Sequence, residues 1–395
     1  MTRSLISAAA ARAALGLRDL TDPGSGPHAM QRLLADVVEG LRASWACEVQ
    51  TRRECPVVSV ADNYDDLGYP PDGAARDARY TRYLGPDTLL RTQTSAMVPR
   101  LLAKLAGEVG AERLLVCPGL VYRRDAIDRL HTGEPHQVDL WRVRASGPAL
   151  ARSNLLDMIA AVCDAALPGW EWRTIPASHP YTRDGLQIDV RAASGEWVEI
   201  GECGLADPDL LRRCGLPAEV TGLAMGLGLD RLLMLRKGID DIRLLRSDDP
   251  RVAAQLLDLE PYQAVSSQPA TRRDLSVAVA PNLEAEDLGD RVRAALGPDA
   301  DCVEDVTLIS KTPYAQLPPQ AVQRIGISPD QANALVRIVI RHPTRSLTSA
   351  AANALRDRVY AAIHEGTAWQ WASRESGAGR AASTRDRGRR KGWTR

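Results

Sequence analysis

The fold of this chain is constrained most by a run of predicted strands in its middle, with amphipathic helices before and after them. Short apolar segments at 113–122, 137–143, 186–190, 196–200 and 223–229 have the length and composition of strands buried in a sheet. Apolar residues at helical spacing predict helices at 28–44, 95–106, 150–166 and 230–236. This order predicts an α+β domain, in which an antiparallel sheet is flanked by helices.

A second, smaller domain is predicted after a stretch rich in Asp and Pro at 247–268. Beyond it, the predicted elements are strand 274–279, helix 284–296, strand 303–309, strand 335–341, helix 350–364 and strand 368–372. This β-α-β-β-α-β order is ferredoxin-like. We therefore predict an N-terminal extension at 1–27, a large domain at 28–247, a linker at 248–268, a ferredoxin-like domain at 269–372 and a basic disordered tail at 373–395.

Composition argues against a membrane protein and a zinc site. No apolar run approaches the roughly 18 residues that cross a bilayer. The seven cysteines include no C-x-x-C pair, which indicates reduced thiols in a cytoplasmic protein. Residues 1–18 contain arginines but no acid, so they are either an organellar transit peptide or an Ala-rich helix. We expect a cytoplasmic location, with an organelle as the alternative.

Polar residues at the ends of predicted strands indicate where chemistry takes place. An Arg-Arg-Asp run at 123–125 follows a buried strand, and phosphate is a natural partner for such guanidinium groups. Arg231 starts a helix just after the Gly-Leu-Gly step at 226–228, where small residues and backbone N–H groups favour an anion. Glu199 ends a strand and is a candidate Mg²⁺ ligand. Taken singly, each feature is also explained by packing or a salt bridge; their joint order is more specific.

That order resembles the catalytic core of class II aminoacyl-tRNA synthetases, and its details resemble the phenylalanyl-tRNA synthetase family. Residues 121–137 resemble the family's motif 2, and 223–243 resemble its motif 3. Residues 65–95 and 197–204 resemble its upstream signature and its acidic strand. Residues 273–348 resemble the ferredoxin-fold anticodon-binding domain. Catalytic and anticodon-binding domains in one chain are similar to the single-subunit organellar form.

The resemblance implies an aminoacyl-tRNA ligase that forms AMP, with ATP and Mg²⁺ as cofactors and tRNA and an aromatic amino acid as partners, acting as a monomer or a homodimer. Arg123 would contact the α-phosphate, Arg231 would clamp the γ-phosphate and Glu199 would hold Mg²⁺. These three are the implied catalytic groups. The implied ATP-binding residues are Arg123, Asp125, His131, Glu199, Gly226, Gly228 and Arg231. Those implied for the amino acid are Gln93, Ser95, Gln137, Asp139, His179, Tyr181 and Ala224, and those for tRNA are Arg273 and Arg345.

The departures from the family pattern lie in the amino-acid pocket. The family's Phe-Pro-Phe-Thr-Glu-Pro-Ser segment is His-Pro-Tyr-Thr-Arg-Asp-Gly at 179–185, and a family His is Gln93. Two family Glu residues are shortened to Asp139 and Asp230. Polar groups in a pocket cost free energy unless a ligand pairs with them. We hypothesise that the substrate is a more polar or substituted aromatic amino acid; the alternative is that His179 and Tyr181 repack the same slot around phenylalanine.

The chain contains no phenylalanine, although average usage predicts roughly a dozen. This absence suggests an enzyme that is made when Phe codons are poorly served: a stand-by or resistance enzyme, or one that mischarges tRNA. Two other functions remain open at this point: a biosynthetic ligase with a non-tRNA acceptor, and a non-catalytic tRNA-binding paralogue. Retention of Arg123, Glu199 and Arg231 argues against the second of these, and the C-terminal domain argues against the first.

Overall fold

The computed structural model describes residues 5–78, 80–106, 112–265 and 269–369 of the 395-residue chain. The predicted basic tail at 373–395 lies outside these ranges. The last predicted strand, 368–372, lies mostly outside them too, and its residues 368 and 369 are not in a strand. Within the described ranges, no helix combines the length and the apolar character needed to cross a membrane.

Most of the predicted strands and helices are present, several of them longer than predicted. The α-helices are Ala8–Leu15 (α1), Ala29–Ser44 (α2), Val98–Leu105 (α3), Arg152–Ala166 (α4), Pro208–Arg213 (α5), Leu229–Lys237 (α6), Pro250–Ala253 (α7), Ala285–Leu296 (α8), Pro319–Ile325 (α9) and Ser349–Ile363 (α10). The strands are Glu48–Thr51 (β1), Val57–Ser59 (β2), Thr88–Leu90 (β3), Glu112–Leu120 (β4), His136–Arg144 (β5), Trp172–Pro176 (β6), Thr182–Arg191 (β7), Trp197–Ala206 (β8), Thr221–Gly228 (β9), Thr271–Val279 (β10), Val303–Pro313 (β11) and Ala332–Ile340 (β12).

The large domain is built on a seven-stranded sheet with the order β1-β4-β5-β9-β8-β7-β6. From β4 to β6 every pairing is antiparallel, as predicted. The exception is one edge of the sheet, where the unpredicted strand β1 runs parallel to β4. A parallel pair needs a long connection between its strands, and residues 52–111 supply it.

The two faces of this sheet are covered by different helices. Along β4, Leu114 and Val116 point into a core that contains residues of α2 and α4. Leu115 and Cys117 alternate with them and pack on the other face, with residues of α3 and α5. The strands are therefore buried on both faces, which explains their continuous apolar runs. The candidate site lies on the second face.

Parts of the predicted extension and linker are packed rather than free. Leu20, in the extension, is 2% exposed and belongs to the core of the large sheet. Val252 and Leu256, in the linker, are buried in the same core. The domain limits predicted from the sequence stay predictions, but these segments contribute to the stability of the large domain.

The C-terminal unit has its own sheet and core. Its strands are antiparallel in the order β10-β12-β11, and residues of α8 and α10 share an apolar core with them. Helix α9, between β11 and β12, was not predicted. The observed elements otherwise follow the predicted order from the first strand to the second helix.

Candidate active site

A cavity of about 300 Å³ opens on the second face of the large sheet. Its lining includes every residue predicted to bind ATP or the amino acid: Gln93, Ser95, Arg123, Asp125, His131, Gln137, Asp139, His179, Tyr181, Glu199, Ala224, Gly226, Gly228 and Arg231. The two residues predicted to bind tRNA lie elsewhere. Arg273 contacts Asn353 of α10 at 3.2 Å, and Arg345 is exposed between β12 and α10.

Strand geometry explains why residues distant in sequence meet on this face. Side chains two apart on a strand point to the same side. Gln137 and Asp139 therefore face the cavity from β5, and Gly226 and Gly228 face it from β9. Because β5 pairs with β9, Asp139 lies opposite Gly226 and Gln137 lies opposite Gly228. The pairing of two strands thus brings the segments that resemble motifs 2 and 3 together.

An irregularity in β8 adds a cavity residue that the sequence did not predict. Ile188 of β7 pairs with Gly201 and Asp189 pairs with Glu199, so Ile200 is an extra residue in the ladder. Glu199 and Glu202 consequently both line the cavity, although residues three apart on a regular strand face opposite sides. Reading the sequence with a strict period of two misses Glu202.

Charged groups from three segments meet at one end of the cavity. Arg231 Nη1 donates to the carbonyl oxygen of Glu199 at 3.0 Å, and its Nη2 lies 3.4 Å from His131 Nε2. His131 Nδ1 donates to Asp128 at 2.7 Å, and this hydrogen bond raises the pKa of His131. Burial raises the pKa of Glu199, and the nearby Glu202 adds to the rise. An arginine, a histidine and an acid therefore lie close together at this end, where they could contact the same anionic ligand.

Arg123 lines the cavity from the point where the loop between β4 and β5 begins. Its Nε donates to the carbonyl oxygen of Thr92 at 2.8 Å, which fixes the guanidinium between the two segments. Its neighbour Arg124 was a second candidate for phosphate, but it pairs with Asp290 of α8 at 3.1 Å and does not line the cavity. The loop turns the two adjacent side chains in different directions.

Packing does not explain Gly226 and Gly228 of β9. A Cβ at Gly228 would meet no atom of the described residues within 4 Å, and one at Gly226 would meet only Asp139 Oδ2, at 3.9 Å. At Gly201, by contrast, a Cβ would lie 2.2 Å from the carbonyl oxygen of Gly226. Packing therefore requires Gly201, whereas Gly226 and Gly228 leave the floor of the cavity open to a ligand.

The rings of Tyr69, His179 and Tyr181 line another end of the cavity, and the buried ring of Trp141 lies beside that of Tyr181. The ring of Tyr181 lies 6.1 Å from that of Trp141, 6.3 Å from that of Tyr69 and 5.7 Å from that of His179, measured between centroids. Tyr69 donates from its hydroxyl to Gln93 Oε1 at 3.1 Å. Sequence reasoning missed Tyr69 because it lies in the long loop after residue 60, where no periodic pattern marks it.

His179 and Glu202 form a polar pair at this end. His179 Nε2 donates to Glu202 Oε2 at 2.6 Å, and this hydrogen bond lowers the pKa of Glu202. The Glu202 side chain is 41% exposed, so its carboxylate remains accessible from the cavity. A negative hydrogen-bond acceptor therefore borders the aromatic part of the lining.

Asp139 is the most buried acid of the lining. It accepts hydrogen bonds from Thr94 at 2.9 Å, from Ser95 at 3.0 Å and from Trp141 Nε1 at 3.2 Å. Burial raises its pKa, although these hydrogen bonds oppose the rise. The donors in these hydrogen bonds are neutral. A cationic group on a ligand would therefore add a positive charge beside the carboxyl group that these donors do not provide.

A buried pair fixes the end of β5 beside Gln137. His136 Nδ1 donates to Asp230 Oδ1 at 3.0 Å, and the backbone N–H of Leu20 donates to His136 Nε2 at 3.0 Å. Burial alone would raise the pKa of Asp230, but the pairing with His136 lowers it. The pair links the strand that carries Gln137 to the first turn of α6, which carries Arg231.

Comparison with known proteins places the chain in a family. Residues 22–256 match the family described as tRNA synthetases class II core domain (F). The chain is 38% identical over 194 residues to the phenylalanine--tRNA ligase alpha subunit of Prochlorococcus marinus strain NATL2A, which covers 49% of this chain and 56% of that protein. It is 35% identical over 248 residues to the phenylalanine--tRNA ligase alpha subunit of strain MIT 9313, which covers 60% of this chain and 69% of that protein.

Among solved structures, a pyrrolysyl tRNA synthetase from Desulfitobacterium hafniense superposes with a TM-score of 0.43 and 16% identity over 56% of this chain and 74% of that chain. This likeness is too weak to carry an argument. The chain spans little more than half the length of the first relative and about two thirds of the second. Because the family match covers more than half of the chain, the protein belongs to the phenylalanyl-tRNA synthetase family of class II aminoacyl-tRNA ligases.

Proposed function

We propose that this chain activates an aromatic amino acid with ATP, forming an aminoacyl adenylate, and transfers the aminoacyl group to tRNA. One observation carries the proposal: Arg123, Arg231 and Glu199 come from three separate segments and line the same cavity. Two guanidinium groups and a carboxylate around a space open to ligands suit a bound nucleoside triphosphate.

The adenylation step follows from these positions. A carboxylate oxygen of the amino acid attacks the α-phosphorus, and pyrophosphate leaves with the electrons of the broken P–O bond. Arg123 stabilises the negative charge that grows on the α-phosphate, and Arg231 binds the departing pyrophosphate. Asp125 and His131 lie on the loop that encloses this end of the cavity. Positioning and electrostatics supply the rate, so no covalent enzyme intermediate is needed.

The residues fit a magnesium ion that is held mainly by phosphate. No group of three or more His, Cys, Asp or Glu side chains suited to a metal occurs in the described part of the chain. Mg²⁺ keeps several waters and commonly takes only one or two carboxylates besides substrate phosphates. Glu199, exposed in the lining, can provide such a carboxylate. Such an ion would neutralise phosphate charge, and Arg231 holds the backbone carbonyl of Glu199.

For the amino acid, we propose an aromatic side chain that carries a hydrogen-bond donor. The rings of Tyr69 and Tyr181 provide flat apolar walls, while Glu202 offers a carboxylate that His179 keeps ionised. A plain phenyl ring would strip water from the part of this carboxylate that His179 does not bond and would give it no further partner, at a cost of about 1–3 kcal/mol. A ring hydroxyl or amino group would pair with it.

Pyrophosphate exchange with a panel of aromatic amino acids tests both parts of this proposal. We expect exchange with ATP and Mg²⁺, and a higher kcat/KM for a ring-hydroxylated or ring-aminated amino acid than for phenylalanine. Glu202→Ala is expected to reduce that preference. Preference of the unaltered enzyme for phenylalanine overturns the substrate proposal alone, whereas no exchange with any member of the panel overturns the ligase proposal.

The C-terminal unit is proposed to be a ferredoxin-fold anticodon-binding domain at 269–372. The strand order β10-β12-β11 and the separate core support this fold. Of the two proposed tRNA contacts, Arg345 is exposed, whereas Arg273 contacts Asn353. We propose that the chain acts in the cytoplasm as a monomer or a homodimer. Total tRNA is expected to bind more weakly to Arg345→Ala; unchanged binding together with unchanged aminoacylation would contradict this assignment.

A further inference from the structure

The loop that carries the proposed ATP-binding residues touches the C-terminal unit as well as the cavity. Arg123, Asp125 and His131 line the cavity from this loop, which connects β4 to β5. Between them, the backbone at 125–127 packs against α8 and β11. These contacts of the loop come from a part of the chain more than 150 residues away.

Arg293 of α8 makes the most direct of these contacts. Its Nη1 donates to the carbonyl oxygen of Asp125 at 2.6 Å, and its Nη2 donates to that of Ala126 at 2.8 Å. One guanidinium thus bridges two consecutive peptide groups, a geometry that a fork of fixed N–H donors holds firmly. The Arg293 side chain is 20% exposed, and its burial lowers the pKa of the guanidinium.

Two further contacts fix the same backbone. Val306 of β11 donates from its N–H to the carbonyl oxygen of Ile127 at 2.9 Å. The Ile127 side chain is 7% exposed and belongs to the core of the C-terminal unit, not to that of the large sheet. Gly289 of α8 approaches so closely that a Cβ there would lie 2.6 Å from the carbonyl oxygen of Asp125. The backbone of the loop at 125–127 is therefore packed against the C-terminal unit.

We propose that Arg293 is a positioning residue for amino-acid activation: through Asp125 and Ala126, the C-terminal unit holds the loop in the conformation that binds ATP. The inference rests on the proposed function of the cavity. It adds that a unit proposed to bind tRNA is also required for a step that uses no tRNA. A misplacement of about 1 Å far from the reacting atoms can cost on the order of 100-fold in rate.

The test compares the full-length chain with Arg293→Ala, Arg293→Lys and Arg291→Ala in pyrophosphate exchange without tRNA. Arg291 lies on the same helix and pairs with Glu365 at 2.5 Å, away from the loop, so it is the matched control. We expect Arg293→Ala to raise the KM for ATP roughly tenfold or more while the KM for the amino acid changes little. Arg293→Lys is expected to recover part of the loss, and Arg291→Ala to resemble the unaltered chain.

The Arg293→Ala variant is expected to stay folded, because the C-terminal unit has a second contact with the large domain. Arg243 donates to the carbonyl oxygens of Asp301 and Arg341 at 2.8 and 2.9 Å, which keeps the unit attached when Arg293 is removed. Hydrogen exchange of the amides at 121–135 gives a readout that is independent of activity. It is expected to rise in Arg293→Ala and not in Arg291→Ala. Unchanged exchange and an unchanged KM for ATP overturn the inference; absence of activity in the unaltered chain overturns only the proposed function.

Discussion

The substitution Gly228→Ala separates a packing role of the β9 glycines from a ligand-binding role. Gly228 precedes α6 with φ −83° and ψ 102°, a backbone conformation that alanine adopts without strain. The added methyl group would meet no atom of the described residues within 4 Å, yet it would stand on the floor of the cavity that is proposed to bind ATP. The change therefore affects a ligand before it affects the fold.

Two effects of similar size determine the stability of this variant. Replacing glycine by alanine in a permitted conformation stabilises a protein by about 0.4–1 kcal/mol, because the unfolded chain loses freedom. Alanine is a poorer residue than glycine at a helix N-cap, which costs about 0.5–1 kcal/mol. These effects nearly cancel, so we expect a free energy of unfolding within about 1 kcal/mol of the unaltered chain. One methyl group in a binding site changes affinity by about 1–3 kcal/mol, or roughly 10–200-fold.

Denaturant unfolding and pyrophosphate exchange measure the two effects separately. Gly228→Ala is expected to unfold near the unaltered midpoint and to show a KM for ATP raised at least tenfold. Gly201→Ala is the matched control, because its Cβ would lie 2.2 Å from the carbonyl oxygen of Gly226. That variant is expected to lose about 1–3 kcal/mol of stability through overpacking. If Gly228→Ala unfolds at a lower denaturant concentration than the unaltered chain and its folded fraction has an unchanged KM for ATP, the ligand-binding role is refuted.

Three further predictions follow from the same contacts. Arg231→Ala, which removes the group proposed to hold the leaving pyrophosphate, is expected to lower kcat for pyrophosphate exchange at least 100-fold with little change in the melting temperature. Because the hydrogen bond to Asp128 raises the pKa of His131, its positive charge is present at low pH and lost as the pH rises through that pKa. The KM for ATP is therefore expected to rise as the pH rises. In Asp128→Asn the same rise in KM is expected at a lower pH, and a pH series of exchange rates measures both. Asp230→Ala removes the acceptor of the buried His136 Nδ1–H and is expected to cost about 1–3 kcal/mol in urea unfolding.

Local patterns predicted most of the longer elements because the side chains that a helix or strand buries recur with the period of that element. The apolar spacing of α2 and the continuous apolar run of β4 reflect burial on one helix face and on both faces of a strand. Short elements such as β6 and α9 were missed, since a few residues with mixed polarity carry little signal. The parallel pairing of β1 was also out of reach, because strand direction at an edge depends on how the long connection returns.

The candidate site shows the same division. The sequence predicted the cavity residues of β5 and β9, because strand spacing and the ordered segments that resemble the family are both properties of the sequence. Glu202 was missed because the extra residue at Ile200 breaks the two-residue period. Tyr69 was missed because a loop residue has no period at all.

The sequence by itself determined the family, the order of the longer elements and the cavity residues that lie in the segments resembling the family's motifs. Only the tertiary structure decided that Arg124 faces α8 instead of the cavity, that His179 pairs with Glu202, and that Arg293 holds the loop beside Arg123. The reason is physical: periodicity fixes the side of an element on which a residue lies. The partner that it meets there depends on how elements distant in the chain are packed together.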